Sequence, residues 1–311
     1  MDLNLYDKVD SFLPKNIFDA HVHIGQCGNE IYTADTFLES QKEFFPNAET
    51  ISGNLIPYPD MSLRDKKKRY ESAVFMKEQL DSYNDFFGEV MVLPGDTKEE
   101  IEALLIHPRI RGLKCYHFYA DREDVDNADI EEFLPETALE VANERGLCIT
   151  LHLVKDKALA DAKNLNYLKI NAEKYPNAKF ILSHCAHGFA SWTLVETVKE
   201  LKEYMNVYYD VSSVCESPTI YACIRTVGVK RVLWGSDYFS SCARGKCVSL
   251  GDGFVWIMED DFKRINKRDI EVNTIQTESL HALMQACHML QLTKNDVDNL
   301  FYYNALGLFV K

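Results

Sequence analysis

Eight short apolar runs, separated by longer amphipathic stretches and mostly ending in turn or polar residues, constrain this chain more than any other feature of its sequence. The runs are Ile17 to His21, Gly53 to Pro57, Glu89 to Leu93, Ile110 to Tyr116, Leu147 to His152, Lys179 to His184, Val207 to Val211 and Arg231 to Asp237. Parallel strands cannot be joined by a tight hairpin, so this alternation predicts strands linked by crossover helices. Eight such units without a detectable repeat predict an α/β fold, a single (β/α)8 TIM barrel, with a doubly wound open sheet as the alternative. At 311 residues the chain has the length of one barrel domain.

Local signals fit this plan. Pro57-Tyr58-Pro59-Asp60 ends the second run, and Met61 to Ser82 reads as a charged surface helix. Pro94-Gly95-Asp96-Thr97 ends the third, and Thr97 with Glu100 forms a capping box for a helix expected to reach Ile106. Gly146 stops the helix before the fifth strand. Residues 1–16 are expected to be an N-terminal extension that either closes the barrel bottom or packs beside it, with the barrel spanning 17–311. The connection 238–272, rich in Gly, Asp and aromatic residues, is expected to be a functional loop before a helix around Glu278 to Leu290 and further C-terminal helices.

The first run delivers His21 and His23, spaced so that both imidazoles leave one face of a strand. A lone His-x-His is common and by itself is more often structural than a metal site. The other strands change that weighting. Lys114, His152, His184 and Asp237 also lie at or within about two residues of strand carboxyl ends, where barrel active sites are built. Imidazole and carboxylate donors suit a divalent ion such as Zn2+, Mn2+ or Fe2+.

Composition excludes other classes. With 34 Lys plus Arg against 48 Asp plus Glu, the formal charge of -14 would repel a phosphate backbone, so nucleic acid is not an expected partner. No apolar stretch approaches the ~20 residues that cross a bilayer, and the first residues lack a signal-peptide pattern. Nine cysteines without Cys-x-x-Cys pairing suggest reduced thiols and a cytoplasmic protein. The expected partner is a small-molecule substrate, with homo-oligomerisation left open.

Phe18-Asp19-Ala20-His21-Val22-His23, Gly112-Leu113-Lys114, Leu151-His152, Ser183-His184 and Trp234-Gly235-Ser236-Asp237-Tyr238 together resemble the ordered motifs of the amidohydrolase-related branch of the amidohydrolase superfamily. The ending Leu300 to Phe309 is similar to the one common in that branch. The resemblance implies that His21, His23, His152 and Asp237 bind a catalytic divalent metal, most often zinc. It implies that His184 polarises the substrate or binds a second metal. Lys114 stands where some members carry a carboxylated lysine; here one metal is expected, with Lys114 as a cation near the substrate.

Bland readings stand beside these. His187 is the alternative to His184 as the active imidazole, Lys114 could snorkel to solvent, and Asp237 could be a loop cap. Arg244 could bind a substrate carboxylate bidentately, or with Lys246 form only a solvated turn. Tyr116 and Glu216 are further candidates at the barrel mouth. His107, His117, His281 and His288 lack comparable placement.

The resulting expectation is a metal-dependent hydrolase of a small polar ester, lactone or amide-like substrate, in which Asp237 takes the proton from water and His184 stabilises the oxyanion. A metal-dependent decarboxylase of a small carboxylic acid is the alternative, and a non-catalytic metal- or ligand-binding barrel is the third.

Overall fold

The computed structural model describes residues 12–265 and 271–310, so the expected extension falls largely outside the described residues. The main strands are β1 Asn16–Cys27, β2 Glu30–Tyr32, β3 Thr50–Pro57, β4 Phe87–Met91, β5 Ile110–Cys115, β6 Cys148–Leu151, β7 Lys179–Leu182, β8 Val207–Asp210 and β9 Val232–Leu233. They form one nine-stranded sheet in the order β2-β1-β3-β4-β5-β6-β7-β8-β9. Only β2 is antiparallel, and it hairpins onto the end of β1. The sheet curls until its far end meets β1. Ala20 N donates to Trp234 O at 2.9 Å, Asp237 N to His21 O at 3.0 Å, and His23 N to Tyr238 O at 2.9 Å.

A bulge in β1 decides which way the two histidines point. The pairing of β1 with β3 shifts register between Asp19 and Val22. Phe18 and Ala20 pack in the inner cluster with Phe87, Cys148, Ile181 and Leu233, whereas Ile17 and Val22 pack in the outer core under the helices. Strict alternation would have grouped His21 and His23 with Ile17, away from the interior. The extra residue reverses the phase, and both imidazoles turn inward. Buried Asp19 fastens this irregularity, since its Oδ1 accepts from His21 N and from Ser236 N, each at 2.9 Å.

The amino-terminal end of the curled sheet is filled by the chain's last helix, Asn304–Phe309. The Phe309 ring stacks on Phe18 at 5.7 Å and lies 5.9 Å from Phe87. Lys179 Nζ donates to Leu308 O at 2.8 Å, tying this plug to β7. The C-terminal motif is therefore a stopper for this end of the curled sheet.

Several elements depart from the expected boundaries. The helix begun by the Thr97–Glu100 capping box covers only Lys98–Glu102, after which Leu104 N and Leu105 N bond three residues back, to Ile101 O and Glu102 O, and the chain turns away. The segment between β1 and β3 carries an unexpected helix, Ala34–Phe44. The connection after β9 is more ordered than a loop. It holds a hairpin of β10 Gly245–Leu250 and β11 Gly253–Met258 and a helix, Glu259–Ile265, before the helix Ile275–Met289. No helix among the described residues is long and apolar enough to cross a membrane.

Candidate metal centre

In the second half of the parallel pairing of β1 with β3, just past the bulge, His21 Nε2 and His23 Nε2 lie 3.1 Å apart. Asp237 Oδ1 lies 3.7 Å from the first and 3.5 Å from the second. Among the described residues these three form the one group of His, Cys, Asp or Glu side chains whose ligand atoms converge closely enough for a metal ion. Gly235 is needed for the approach, since a Cβ there would stand 2.9 Å from the His21 Cβ. Asp237 takes a left-handed φ of 64°, and its Oδ2 accepts from Ser213 Oγ at 2.9 Å, which leaves Oδ1 facing the imidazoles.

Hydrogen bonding fixes where the protons sit. Asp210 at the end of β8 is wholly buried, and its Oδ2 lies 3.0 Å from His21 Nδ1. Burial would raise the Asp210 pKa, but the fields of His21 and His184 and the hydrogen bonds from His21 and Ser212 hold it well below the usual carboxylate range. An ionised carboxylate only accepts, so His21 Nδ1 donates to it and His21 Nε2 presents a lone pair. Burial lowers the pKa of both His21 and His23, keeping them neutral. Two imidazole nitrogens and a carboxylate oxygen thus face one point, and burial disfavours the charge on Asp237, whose pKa it raises. A divalent cation satisfies all three, so the donor set fits a metal.

His184 lies beside this group, its ring stacked on His21 at a centroid distance of 5.3 Å. It is not the last residue of β7, as expected from the sequence. It opens a run of left-handed backbone, with φ of 56°, 50°, 58° and 59° at His184, Cys185, Ala186 and His187. Left-handed backbone costs roughly 1–2 kcal/mol per non-glycine residue, so the surrounding bonds must hold it. One of them is His184 N to Asp210 Oδ1, at 3.0 Å. His184 Nδ1 is 2.9 Å from the Ser212 carbonyl, which only accepts. His184 is therefore protonated on Nδ1, and burial keeps it neutral. Its Nε2 is an acceptor, which does not suit the oxyanion-donor role expected from the sequence.

Lys114 is fully buried and does not snorkel. Its Nζ has no hydrogen-bond partner among the described residues and sits 5.6 Å from the centre of the Tyr116 ring. Burial lowers its pKa, opposed chiefly by the field of Glu89. Glu89 on β4 accepts from Thr150 Oγ1 at 2.6 Å and Asn54 Nδ2 at 2.8 Å, and burial pushes its carboxyl up to about 7. Between 4.5 and about 7 the unfolded chain releases this proton while the folded protein keeps it, so stability falls as pH rises through that window. Glu89→Gln keeps an acceptor and removes the titration. The loss of stability from pH 5 to pH 8 should then shrink by up to about 3 kcal/mol in urea unfolding. An unchanged loss would mean that Glu89 is already ionised at pH 5.

The remaining candidates divide between the mouth and the surface. His152 is not in the close triad; its ring lies 5.0 Å from His184 and 5.1 Å from both His187 and Tyr116. Burial, then the field of His184, pushes the His187 pKa down to about 3. Its ring lies 5.5 Å from Phe254 of the β10–β11 hairpin, and Phe189 stacks on His184 at 5.2 Å. Glu216 serves the hairpin, accepting from Ser249 N at 3.1 Å. Arg244 is partly exposed and engaged with Val272 O at 2.6 Å and Glu271 Oε1 at 3.4 Å, while Lys246 pairs with Glu278 at 2.9 Å. Across the mouth, Tyr58 stands 5.8 Å from His23 and lines a cavity of about 250 Å³ with Gln26, Asp60 and Lys68.

Comparison with known proteins adds two findings. Residues 71–309 match the family model described as Amidohydrolase, a stretch that begins after the His-x-His pair. Among solved structures, a putative 2-pyrone-4,6-dicarboxylic acid hydrolase from Pseudomonas putida is 16% identical, with a TM-score of 0.57 over 96% of this chain and 98% of that one. An amidohydrolase from Burkholderia multivorans with bound zinc is 11% identical, with a TM-score of 0.61 over 94% and 98%. A 5-carboxyvanillate decarboxylase mutant from Novosphingobium aromaticivorans, with bound manganese and a nitrobenzoic acid, is 14% identical, with a TM-score of 0.57 over 97% and 98%. Among curated proteins no sequence match is found. At these identities the structural likeness speaks for the fold.

Proposed function

Because the chain belongs to the amidohydrolase family, we propose that it is a metal-dependent hydrolase of a small polar ester, lactone or amide-like substrate, built on a closed (β/α)8 barrel. The observation that carries this reading is the convergence of His21 Nε2, His23 Nε2 and Asp237 Oδ1 on one point. These three residues would hold the metal, with His152 as a further ligand candidate one ring away. When bound, a divalent ion, zinc by first preference, polarises a carbonyl and acidifies a coordinated water. The protein's own groups do the rest. His184 presents Nε2 as a proton acceptor beside His21, with Nδ1–H locked onto Ser212. Asp237 faces the site with Oδ1 while Ser213 holds Oδ2, so it orients more than it shuttles. Lys114 lies buried against Tyr116 without a hydrogen-bond partner among the described residues, and when protonated it would attract a substrate carboxylate.

The same Lys114 amine favours a second reading, a decarboxylase of a small carboxylic acid, since a buried Nζ with no hydrogen-bond partner among the described residues suits an acid substrate. Decarboxylases among the structural neighbours support it as far as the hydrolase there supports the first reading. Metal analysis of purified protein should give close to one equivalent of a divalent transition metal per chain. A screen of lactones, amides and carboxylic acids, read for hydrolysis and for CO2 release, then separates the two reactions. Full activity of the metal-free protein in excess chelator would remove both.

A further inference from the structure

We infer that Asp210 is the positioning residue of this centre: one buried carboxylate sets the tautomer of His21, so that its Nε2 presents a lone pair toward His23 and Asp237, and pins the turn that carries His184 beside them. The inference rests on the metal reading above for its consequence, not for its geometry. Asp210 Oδ2 takes the proton side of His21 at 3.0 Å. Its Oδ1 accepts from His184 N at 3.0 Å, from Ser212 N at 3.1 Å and from the Ser212 hydroxyl. The Ser212 hydroxyl in turn lies 2.9 Å from His184 Nδ1, and the Ser212 carbonyl accepts from that same nitrogen. A single side chain therefore reaches the first strand, the left-handed turn after β7 and the loop after β8. Among the described residues the other partner of His21 Nδ1, Ser212 Oγ at 3.3 Å, is not a pure acceptor and can serve either way.

The division of labour between the two oxygens makes the proposal testable. In Asp210→Asn the amide oxygen can keep the Oδ1 bonds to His184 N and Ser212 N, so the turn stays pinned. The amide NH2 then faces His21 Nδ1 and can only donate. His21 must become the Nε2–H tautomer, placing a hydrogen where the metal lone pair was. A group that merely braced the fold would leave the tautomer and the metal affinity alone.

The experiment uses the full chain, stripped of metal, with ¹⁵N-labelled histidine. In the wild type His21 should appear as the Nδ1–H tautomer, and in Asp210→Asn as Nε2–H. Zinc affinity, measured against a chromophoric chelator, should fall by roughly 10- to 100-fold in Asp210→Asn and stay within a few-fold in Ser212→Ala. A wild-type His21 carrying its proton on Nε2 overturns the inference even if Asp210→Asn does not fold. So does wild-type zinc affinity in folded Asp210→Asn, or an equal loss in Ser212→Ala. If the wild type itself takes up no zinc, the metal reading fails, and the tautomer comparison still decides the role of Asp210.

Discussion

Replacing His23 by alanine should leave a folded protein that keeps no stoichiometric metal and loses turnover by several orders of magnitude. His23 contributes one of only three closely convergent donors, and two remaining donors do not make a tight site for a borderline divalent ion. The substitution deletes a neutral ring on β1 just past the bulge. The backbone there is held independently by His23 N on Tyr238 O and by the pairing with β3. The inner cluster around Phe18 and Phe309 lies at the other end of the sheet and does not touch His23. Metal content by elemental analysis, with far-UV circular dichroism on the same sample, checks both halves. Loss of metal together with loss of fold would instead make the metal structural.

The apolar runs led to the right side chains without marking the strand ends, since β1 continues to Cys27, four residues past His23, and β9 stops at Leu233, four before Asp237. His21, His23 and Asp237 were found in this way, and the structure gathers them. What alternation could not supply was the bulge. Period-two reasoning places His21 and His23 together, correctly, but on the face of Ile17, and only the register shift after Asp19 turns them inward. A one-residue slip leaves no mark in a run of buried residues on a strand covered on both faces.

Asp210 was missed although it satisfies the criterion that selected Asp237: a carboxylate at the carboxyl end of a strand run. The signal was there in Val207-Tyr208-Tyr209-Asp210-Val211, and it went unread because Asp210 serves another residue instead of a ligand. The left-handed turn at His184 had little signal, since histidine tolerates positive φ at its two ends but Cys185 and Ala186 between them are not residues that favour it. The hairpin Gly245–Met258 did carry one. Gly251-Asp252 between two apolar runs is a two-residue turn of the kind that joins antiparallel strands, and the length of the connection masked it.

Exchanging His184 for asparagine should retain most of the metal and lower turnover by roughly 100-fold or more, the range typical of a removed general base. Asparagine offers no basic lone pair, yet it leaves Asp210 on His21 and the three close donors in place. Asp237→Asn should also cut turnover by orders of magnitude, but with weakened metal retention, because the lost negative charge sits on an atom facing His21 and His23. The pH profile separates the two further. Burial lowers the pKa of His184 below its ordinary 6.5, so the acid limb of kcat/KM should fall below that value, where the neutral acceptor is lost to protonation. In His184→Asn that limb should vanish from the residual activity. If His184→Asn instead empties the site as completely as His23→Ala, then His184 is itself a metal ligand and the proton acceptor must be sought elsewhere. Wild-type turnover in the variant would hand the role to His187, whose ring stands 5.1 Å from His152 on the same wall.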